Sequence, residues 1–261
     1  MELTIQLGGA HEGPSVQVQV AQRTDIGNRT ENQDAVGHKL FGDWLVCVLA
    51  DGAGGHRGGA FAAILAVEMS LSAFEQCPTL DKSRLLQLIR HVNQNILHQQ
   101  TTHPDYSDMH TTICMLVINQ RSGQAAWLHV GDSRVYHFHH TVLRSRTKDH
   151  SVLQWMTDHQ QCDGRTSRNA LYTALGEQAD QLQIEVTEPC SLSTGDWFLM
   201  CSDGLWEHLS DDELALLGTN LWCADDCNTH IHQLAFNRAL GRSDNLSSIL
   251  VFLGEGVAQS G

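Results

Sequence analysis

The stretch Leu45-Val46-Cys47-Val48-Leu49-Ala50-Asp51-Gly52-Ala53-Gly54-Gly55-His56 joins a short apolar run to a charged, glycine-rich end. Six consecutive apolar residues before a glycine are typical of a buried β-strand. Such a strand delivers Asp51 to the edge of a sheet. Gly52 then permits the close backbone approach that a ligand requires.

Four further aspartates stand at the ends of strand-like runs. Asp132 follows Ala126–Gly131 and Asp203 follows Trp197–Ser202, whereas Asp34 and Asp244 come just before apolar runs. Any one of them alone is best interpreted as a turn residue. Five carboxylates that converge would repel each other unless cations neutralise them. Oxygen ligands of this kind select hard ions such as Mg²⁺ or Mn²⁺ rather than zinc.

The motifs that contain these aspartates resemble, in order, those of the metal-dependent protein phosphatases. This is the PPM family, or type 2C protein phosphatases, and the compact length is similar to that of bacterial members. The resemblance covers about residues 16–253. The motifs are Gly27–Asp34, Asp51–His56, Val130–Arg134, Asp149–Ser151, Thr173–Gly176, Cys201–Trp206 and Asp244-Asn245.

The resemblance implies an α+β fold, namely an αββα sandwich of two antiparallel β-sheets flanked by helices. It also implies two Mn²⁺ or Mg²⁺ ions and a third, weaker one. Asp51 would bridge the two ions, and the carbonyl of Gly52 would bind one of them. Asp203 and Asp244 would complete the ligands of the second ion. Asp34 would contact the ions largely through water, and Asp132 would bind the third ion.

The same resemblance implies hydrolysis of phosphoserine and phosphothreonine on proteins, which would reverse the action of a serine/threonine kinase. Two ions roughly 3.5–4 Å apart can share a water and lower its pKa. Arg29 would grip two phosphoryl oxygens, since a guanidinium matches them bidentately. His56 would protonate the leaving alkoxide. The alternatives are a surface salt bridge for Arg29 and a histidine without chemistry for His56.

Apolar runs predict strands over Val16–Ala21, Trp44–Ala50, Thr111–Asn119, Ala125–Val130, Arg134–Phe138, Leu182–Val186, Trp197–Cys201 and Ser247–Leu253. Helical periodicity covers Gly59–Glu75, Lys82–Gln100, Ser151–His159, Asp211–Leu217 and Asp225–Leu240. These elements predict one phosphatase domain over residues 16–254, with flexible segments at 1–15 and 255–261. The flap beside the site should lie within Ser151–Tyr172 and be short.

The formal charge of −14 argues against a nucleic-acid partner, because DNA and RNA select basic surfaces. Runs such as Leu45–Ala50 are too short to cross a membrane, and no signal peptide is evident at Met1, so we expect a cytoplasmic monomer. Its partners would be phosphorylated proteins and a cognate kinase. A zinc site at Cys223/Cys227 or at His137–His140 is disfavoured, because neither has a second pair of ligands.

Two departures from the family pattern bear on activity. One is the short flap within Ser151–Tyr172. The other is His110, which stands before Thr111-Thr112 where the family commonly has glycine and should change the local packing. The main alternative function is a regulatory or scaffolding module with little turnover. Since no metal-binding aspartate and no phosphate-binding arginine has been lost, the sequence favours the enzyme.

Overall fold

Two antiparallel sheets form the centre of the molecule in this computed structural model, which describes residues 16–53, 58–159, 170–220 and 223–255. The strands, in chain order, are β1 Val16–Asp25, β2 Asp34–Phe41, β3 Trp44–Ala53, β4 His110–Thr111, β5 Ile113–Asn119, β6 Gln124–Val130, β7 Arg134–His139, β8 Val142–Arg146, β9 Glu185–Val186, β10 Cys190–Ser191, β11 Asp196–Cys201 and β12 Leu246–Glu255.

The first sheet has the order β1-β12-β11-β7-β8. The second has the order β10-β6-β5-β3-β2, with β4 paired to β3 and β9 to β6. Six α-helices and one short 3₁₀ helix connect the strands over the described residues. They are α1 Gly58–Gln76, α2 Lys82–Thr102, the 3₁₀ helix Pro104–Tyr106, α3 Val152–Asp158, α4 Asp203–Trp206, α5 Asp211–Asn220 and α6 Ala224–Arg238.

Three apolar layers hold these elements together. The middle layer lies between the sheets and includes Leu49, Leu116 and Phe198, all fully buried. One outer layer packs α1 and α2 on the second sheet, and the other packs α4, α5 and α6 on the first sheet. Alternate residues of β3 face opposite layers, because side chains alternate across a strand. The predicted αββα sandwich is confirmed.

The strands that the sequence did not predict lie at sheet edges. β2 and β8 each end the strand order of their sheet, and β8 alternates between exposed and half-buried residues. An edge strand with one solvated face carries few apolar residues, so it produces no apolar run. The predicted strand Leu182–Val186 is paired only over Glu185–Val186. The short helix α4 was also not predicted.

Helix α1 is the one described helix that is long and apolar enough, by length and composition, to cross a membrane. This differs from the prediction, made from the sequence, that every apolar run is too short to cross a membrane. Its residues Ala62, Ala66 and Phe74 are fully buried in the layer against the second sheet. The apolar character of α1 is therefore explained by packing inside the domain. Both predicted flexible segments lie outside the described residues, except that Glu255 ends β12.

Candidate active site

Asp51 and Asp34 are cross-strand neighbours at one end of the second sheet, where β3 pairs with β2. The backbone of Asp51 is fixed on its other side by two threonines. Its carbonyl accepts hydrogen bonds from the backbone N–H of Thr112 at 2.8 Å and the hydroxyl of Thr111 at 2.9 Å. Its own N–H donates to Thr112 Oγ1 at 3.0 Å. The two threonines that follow His110 therefore hold Asp51 in place, while His110 pairs with Ala53 in β4.

Gly52 is required by the close approach of α1 to the end of β3. A Cβ atom at Gly52 would lie 2.2 Å from the carbonyl oxygen of Gly59. The N–H of Gly52 donates to the carbonyl of Gln33 at 3.1 Å, which ties β3 to the segment before Asp34. No larger residue fits between these backbones.

Asp203 and Asp244 come from the other sheet and reach the same end of the sandwich. Asp203 is the first residue of α4. Asp244 lies just before β12, with Asn245 between them. Ser202, the N-cap of α4, donates from its hydroxyl to Asp34 Oδ2 at 2.8 Å and accepts from the N–H of Ser247 at 3.1 Å. Ser202 thus connects Asp34 on one sheet with the segment around Asp203 and Asp244 on the other.

The loop between β1 and β2 is fastened to the segment Ser243–Asn245. Asn28 Oδ1 accepts from the N–H of Ser243 at 3.0 Å, and Asn245 Oδ1 accepts from the N–H of Gln33 at 2.8 Å. Gly27 has φ +62°, and a Cβ there would lie 2.0 Å from the carbonyl oxygen of Asp244. These contacts place Arg29, whose exposed guanidinium forms a salt bridge with the carboxylate of Asp244.

Asp132 follows β6 and is positioned by its neighbours on both sides. Trp206 Nε1 donates to the carbonyl of Asp132 at 3.0 Å. Ser133 shares a 2.7 Å hydroxyl hydrogen bond with Thr112, the residue that also holds Asp51. Arg134 forms a bidentate salt bridge with Asp149, with both contacts at 2.8 Å. Because Arg134 is paired with Asp149, the carboxylate of Asp132 has no direct ion pair among the described residues.

A pair of buried histidines lies behind Asp132. His129 Nε2 donates to the carbonyl of Lys148 at 2.8 Å, and the N–H of Gly131 donates to His150 Nδ1 at 3.2 Å. Burial lowers the pKa of His150 to about 4, so its ring is neutral and Nδ1 can accept. Glu185 lies 3.5 Å from His150 Nε2.

His129, His150 and Glu185 are the only group of three potential metal ligands within 4.8 Å of one another among the described residues. The hydrogen bond from Gly131 places the proton of neutral His150 on Nε2, because a neutral imidazole carries one N–H. A metal at Nε2 would require that proton to move to Nδ1, where the N–H of Gly131 points. The structure thus supports the sequence-based interpretation of His150 as a structural residue.

The electrostatics of the five aspartates are those of an uncompensated acidic cluster. Burial raises the pKa of Asp51 well above its ordinary value, and the charges of Asp34, Asp203, Asp132 and Asp244 raise it further. Burial raises the pKa of Asp203 well above its ordinary value, and the charges of Asp132 and Asp244 raise it further. Burial also raises the pKa of Asp34 and of Asp132 to about 6.

These carboxylates fit divalent cations bound with water. They act on one another electrostatically, yet no three of them bring an oxygen within 4.8 Å of one another among the described residues. Mg²⁺ prefers oxygen ligands and keeps several of its waters, so it does not need a closed cage of protein ligands. The donor set is all oxygen, as hard cations require.

The remaining candidates from the sequence do not reach this site. His139 and His137 contact Asp196 Oδ1 at 2.8 and 3.5 Å, at the end of the β7–β11 pairing opposite to Cys201. Cys227 is fully buried in the layer under α6, and Cys223 caps that helix. His56 and residues 160–169 of the expected flap lie outside the described residues.

Comparison with known proteins assigns the family. The model of a family described as protein phosphatase 2C matches residues 21–235. The chain belongs to the protein phosphatase 2C family. The family predicted from the ordered motifs is thereby confirmed, and with it the prediction of an enzyme that is a protein phosphatase.

Relatives of this phosphatase match about nine-tenths of its length. Protein phosphatase PhpP of Streptococcus pneumoniae is 29% identical over 251 residues, which cover 91% of this chain and 98% of PhpP. A serine/threonine phosphatase structure from S. agalactiae has TM-score 0.79 at 27% identity and covers 90% of this chain and 99% of its own. The PstP catalytic domain, solved in complex with two manganese ions, has TM-score 0.76 at 26% identity, with coverages of 92% and 99%.

The raised pKa of Asp34 predicts how metal-free stability depends on pH. Its folded pKa of about 6 exceeds its ordinary 3.8, so its contribution to stability is present below pH 4 and lost between pH 4 and 6. In excess chelator, Asp34→Asn should equal the wild type near pH 4 and exceed it by roughly 2–3 kcal/mol at pH 7.5. Urea unfolding at both pH values measures this.

The matched control is Asp43→Asn, because Asp43 is an exposed residue in the hairpin at the far end of β2 and β3. It should leave the unfolding free energy unchanged at both pH values. If Asp34→Asn is less stable than the wild type at pH 7.5 without metal, the repulsion described for this cluster is wrong.

Proposed function

We propose that this chain hydrolyses phosphoserine and phosphothreonine on proteins, with Mn²⁺ or Mg²⁺ as cofactor, and so reverses serine/threonine kinase signalling in the bacterial cytoplasm. The observation that carries the proposal is the convergence of five aspartates from both sheets at one end of the sandwich. The family and the serine/threonine phosphatases among its relatives support the same substrate class. The expected form is a monomer.

Each aspartate has a proposed part in holding the ions. Asp51 would hold both ions, and it is the aspartate on whose charge all four others act. The Gly52 carbonyl, Asp203 and Asp244 would supply the other ligands of the two ions. Asp34 would contact the ions through water. Asp132, which has no direct ion pair among the described residues, belongs to a third, weaker site. When bound, such ions supply an activated water and neutralise charge on the phosphoryl group.

Arg29 is the proposed phosphate-binding residue. Its guanidinium is exposed and contacts Asp244, so it lies at the open side of the acidic cluster. A cation held by Asp244 would weaken the attraction of this carboxylate for Arg29, which would leave the guanidinium available to phosphoryl oxygens. A planar guanidinium binds two such oxygens and orients the phosphorus for in-line attack.

His56 is the proposed general acid, and this assignment depends on the sequence motif after Asp51. A serine or threonine alkoxide is a poor leaving group until it is protonated, and a positioned acid typically contributes about 10²–10⁴ in rate. The alternative of a regulatory module with little turnover finds no support, because the described cluster keeps every aspartate and Arg29.

Metal dependence is the direct test of the proposal. After treatment with chelator, the protein should not hydrolyse a phosphothreonine peptide, and added Mn²⁺ should restore turnover. Asp51→Asn should lose more than nine-tenths of that turnover at saturating Mn²⁺, because it removes the bridging carboxylate, while circular dichroism shows an intact fold. Asp43→Asn should retain full activity. Turnover in chelator, or full activity of Asp51→Asn, would exclude the two-ion assignment.

The leaving group separates His56 from Arg29. An aryl phosphate departs as a stable phenolate and needs little protonation, whereas a threonine alkoxide needs much. His56→Gln should therefore lose roughly tenfold or more additional turnover on phosphothreonine peptide relative to aryl phosphate. Arg29→Ala should weaken the binding of both substrates by a similar factor, because both carry the same phosphoryl group. Equal losses for His56→Gln on both substrates would remove it from the acid role.

A further inference from the structure

An open groove runs from Asp132 away from the acidic cluster. Its volume is about 950 Å³. One wall is α3, which presents Leu153, Gln154 and Thr157, and the other is the segment from Trp206 to Asp212 at the end of α4 and the start of α5. Because Asp132 is both a lining residue of the groove and a member of the acidic cluster, the groove adjoins the proposed catalytic site.

Both arginines that line the groove are already paired. The guanidinium of Arg134 lies 3.5 Å from the centre of the Trp206 ring and forms the bidentate salt bridge with Asp149. Arg146 donates to both carboxylate oxygens of Asp211, at 3.1 and 2.9 Å. Neither arginine is therefore available to bind an anionic ligand in this groove.

The negative charges of the groove exceed its positive ones. Its lining contains five carboxylates and two guanidiniums. Two of the carboxylates are paired with those guanidiniums, and Asp132 belongs to the proposed third cation site. Glu207 and Asp212 are exposed, and neither side chain forms a hydrogen bond or ion pair within the described ranges. These two carboxylates form an acidic rim beside the position where a phosphorylated residue would be cleaved.

We propose that this groove is a docking site for the polypeptide around the phosphorylated residue, and that it selects substrates with lysine or arginine next to that residue. The inference rests on the proposed phosphatase function and specifies its substrate class. Basic side chains would pair with Glu207 and Asp212, while the exposed Leu153 offers an apolar contact to the peptide stem. Exposed charges at the edge of a binding site raise the rate of association with oppositely charged peptides and favour those peptides over others. Salt screens both effects.

A matched pair of phosphothreonine peptides tests the docking site. One carries arginines on both sides of the phosphothreonine and its twin carries glutamines. At low ionic strength in Mn²⁺, the wild type should favour the arginine peptide by roughly three- to tenfold in kcat/KM, chiefly through KM. The preference should shrink at high salt. The double variant Glu207→Gln/Asp212→Asn should lose most of it.

The comparison of two peptides on one enzyme removes other effects of Glu207, whose charge also acts on Asp132 and Asp203. Asp43→Asn makes the same charge change in the distant hairpin, and it should keep the preference. The single variant Asp212→Asn, further from the cluster, should lose part of it. These results together would establish local recognition, as distinct from a general effect of the acidic protein.

The inference is overturned if the wild type hydrolyses both peptides equally, if the double variant keeps the preference, or if Asp43→Asn loses as much. If the wild type hydrolyses aryl phosphate and both peptides but does not distinguish the two peptides, the proposed function stays intact and only the docking site is removed. If the wild type in Mn²⁺ hydrolyses none of the three substrates, the proposed function itself fails, and the docking site with it.

Discussion

Repulsion among five carboxylates is the constraint on which the site depends. Asp34, Asp51, Asp132, Asp203 and Asp244 come from both sheets, and each of the other four raises the pKa of the buried Asp51. A cluster of this kind costs free energy in the metal-free protein, because every ionised carboxylate disfavours the others. The sandwich tolerates it because three extensive apolar layers supply the stability.

Neutral donors, and not cations, position most of these aspartates. Thr111 and Thr112 fix the backbone of Asp51, and the hydroxyl of Ser202 donates to Asp34. A hydroxyl or amide orients a carboxylate without cancelling its charge, so the negative charge remains available to a metal ion. Asp149 shows the contrast, since Arg134 binds both of its oxygens. Asp149 consequently stabilises the floor of the groove, while Asp132 stays open.

The sequence predicted the fold, and it singled out five aspartates that the fold brings together, because both features carry strong local signals. Apolar runs such as Leu45–Ala50 identify central strands, and an aspartate at the end of each run stands out. The residues that position them were missed: Ser202, Ser243 and Asn28 are common polar residues whose partners lie on distant segments. The close approach of Gly52 to Gly59 likewise depends on packing between elements, which a single sequence does not show.

The coupling between carboxylate repulsion and metal binding can be measured directly as proton release. Below about pH 6, Asp34 and Asp132 each tend to carry a proton, and a divalent cation that binds their carboxylates displaces it. Calorimetric titration of the chelator-treated protein with Mn²⁺, in buffers of different ionisation enthalpy, should show binding of at least two ions. It should also show proton release at pH 6. Absence of Mn²⁺ binding, or binding with no proton release at pH 6, would contradict this account.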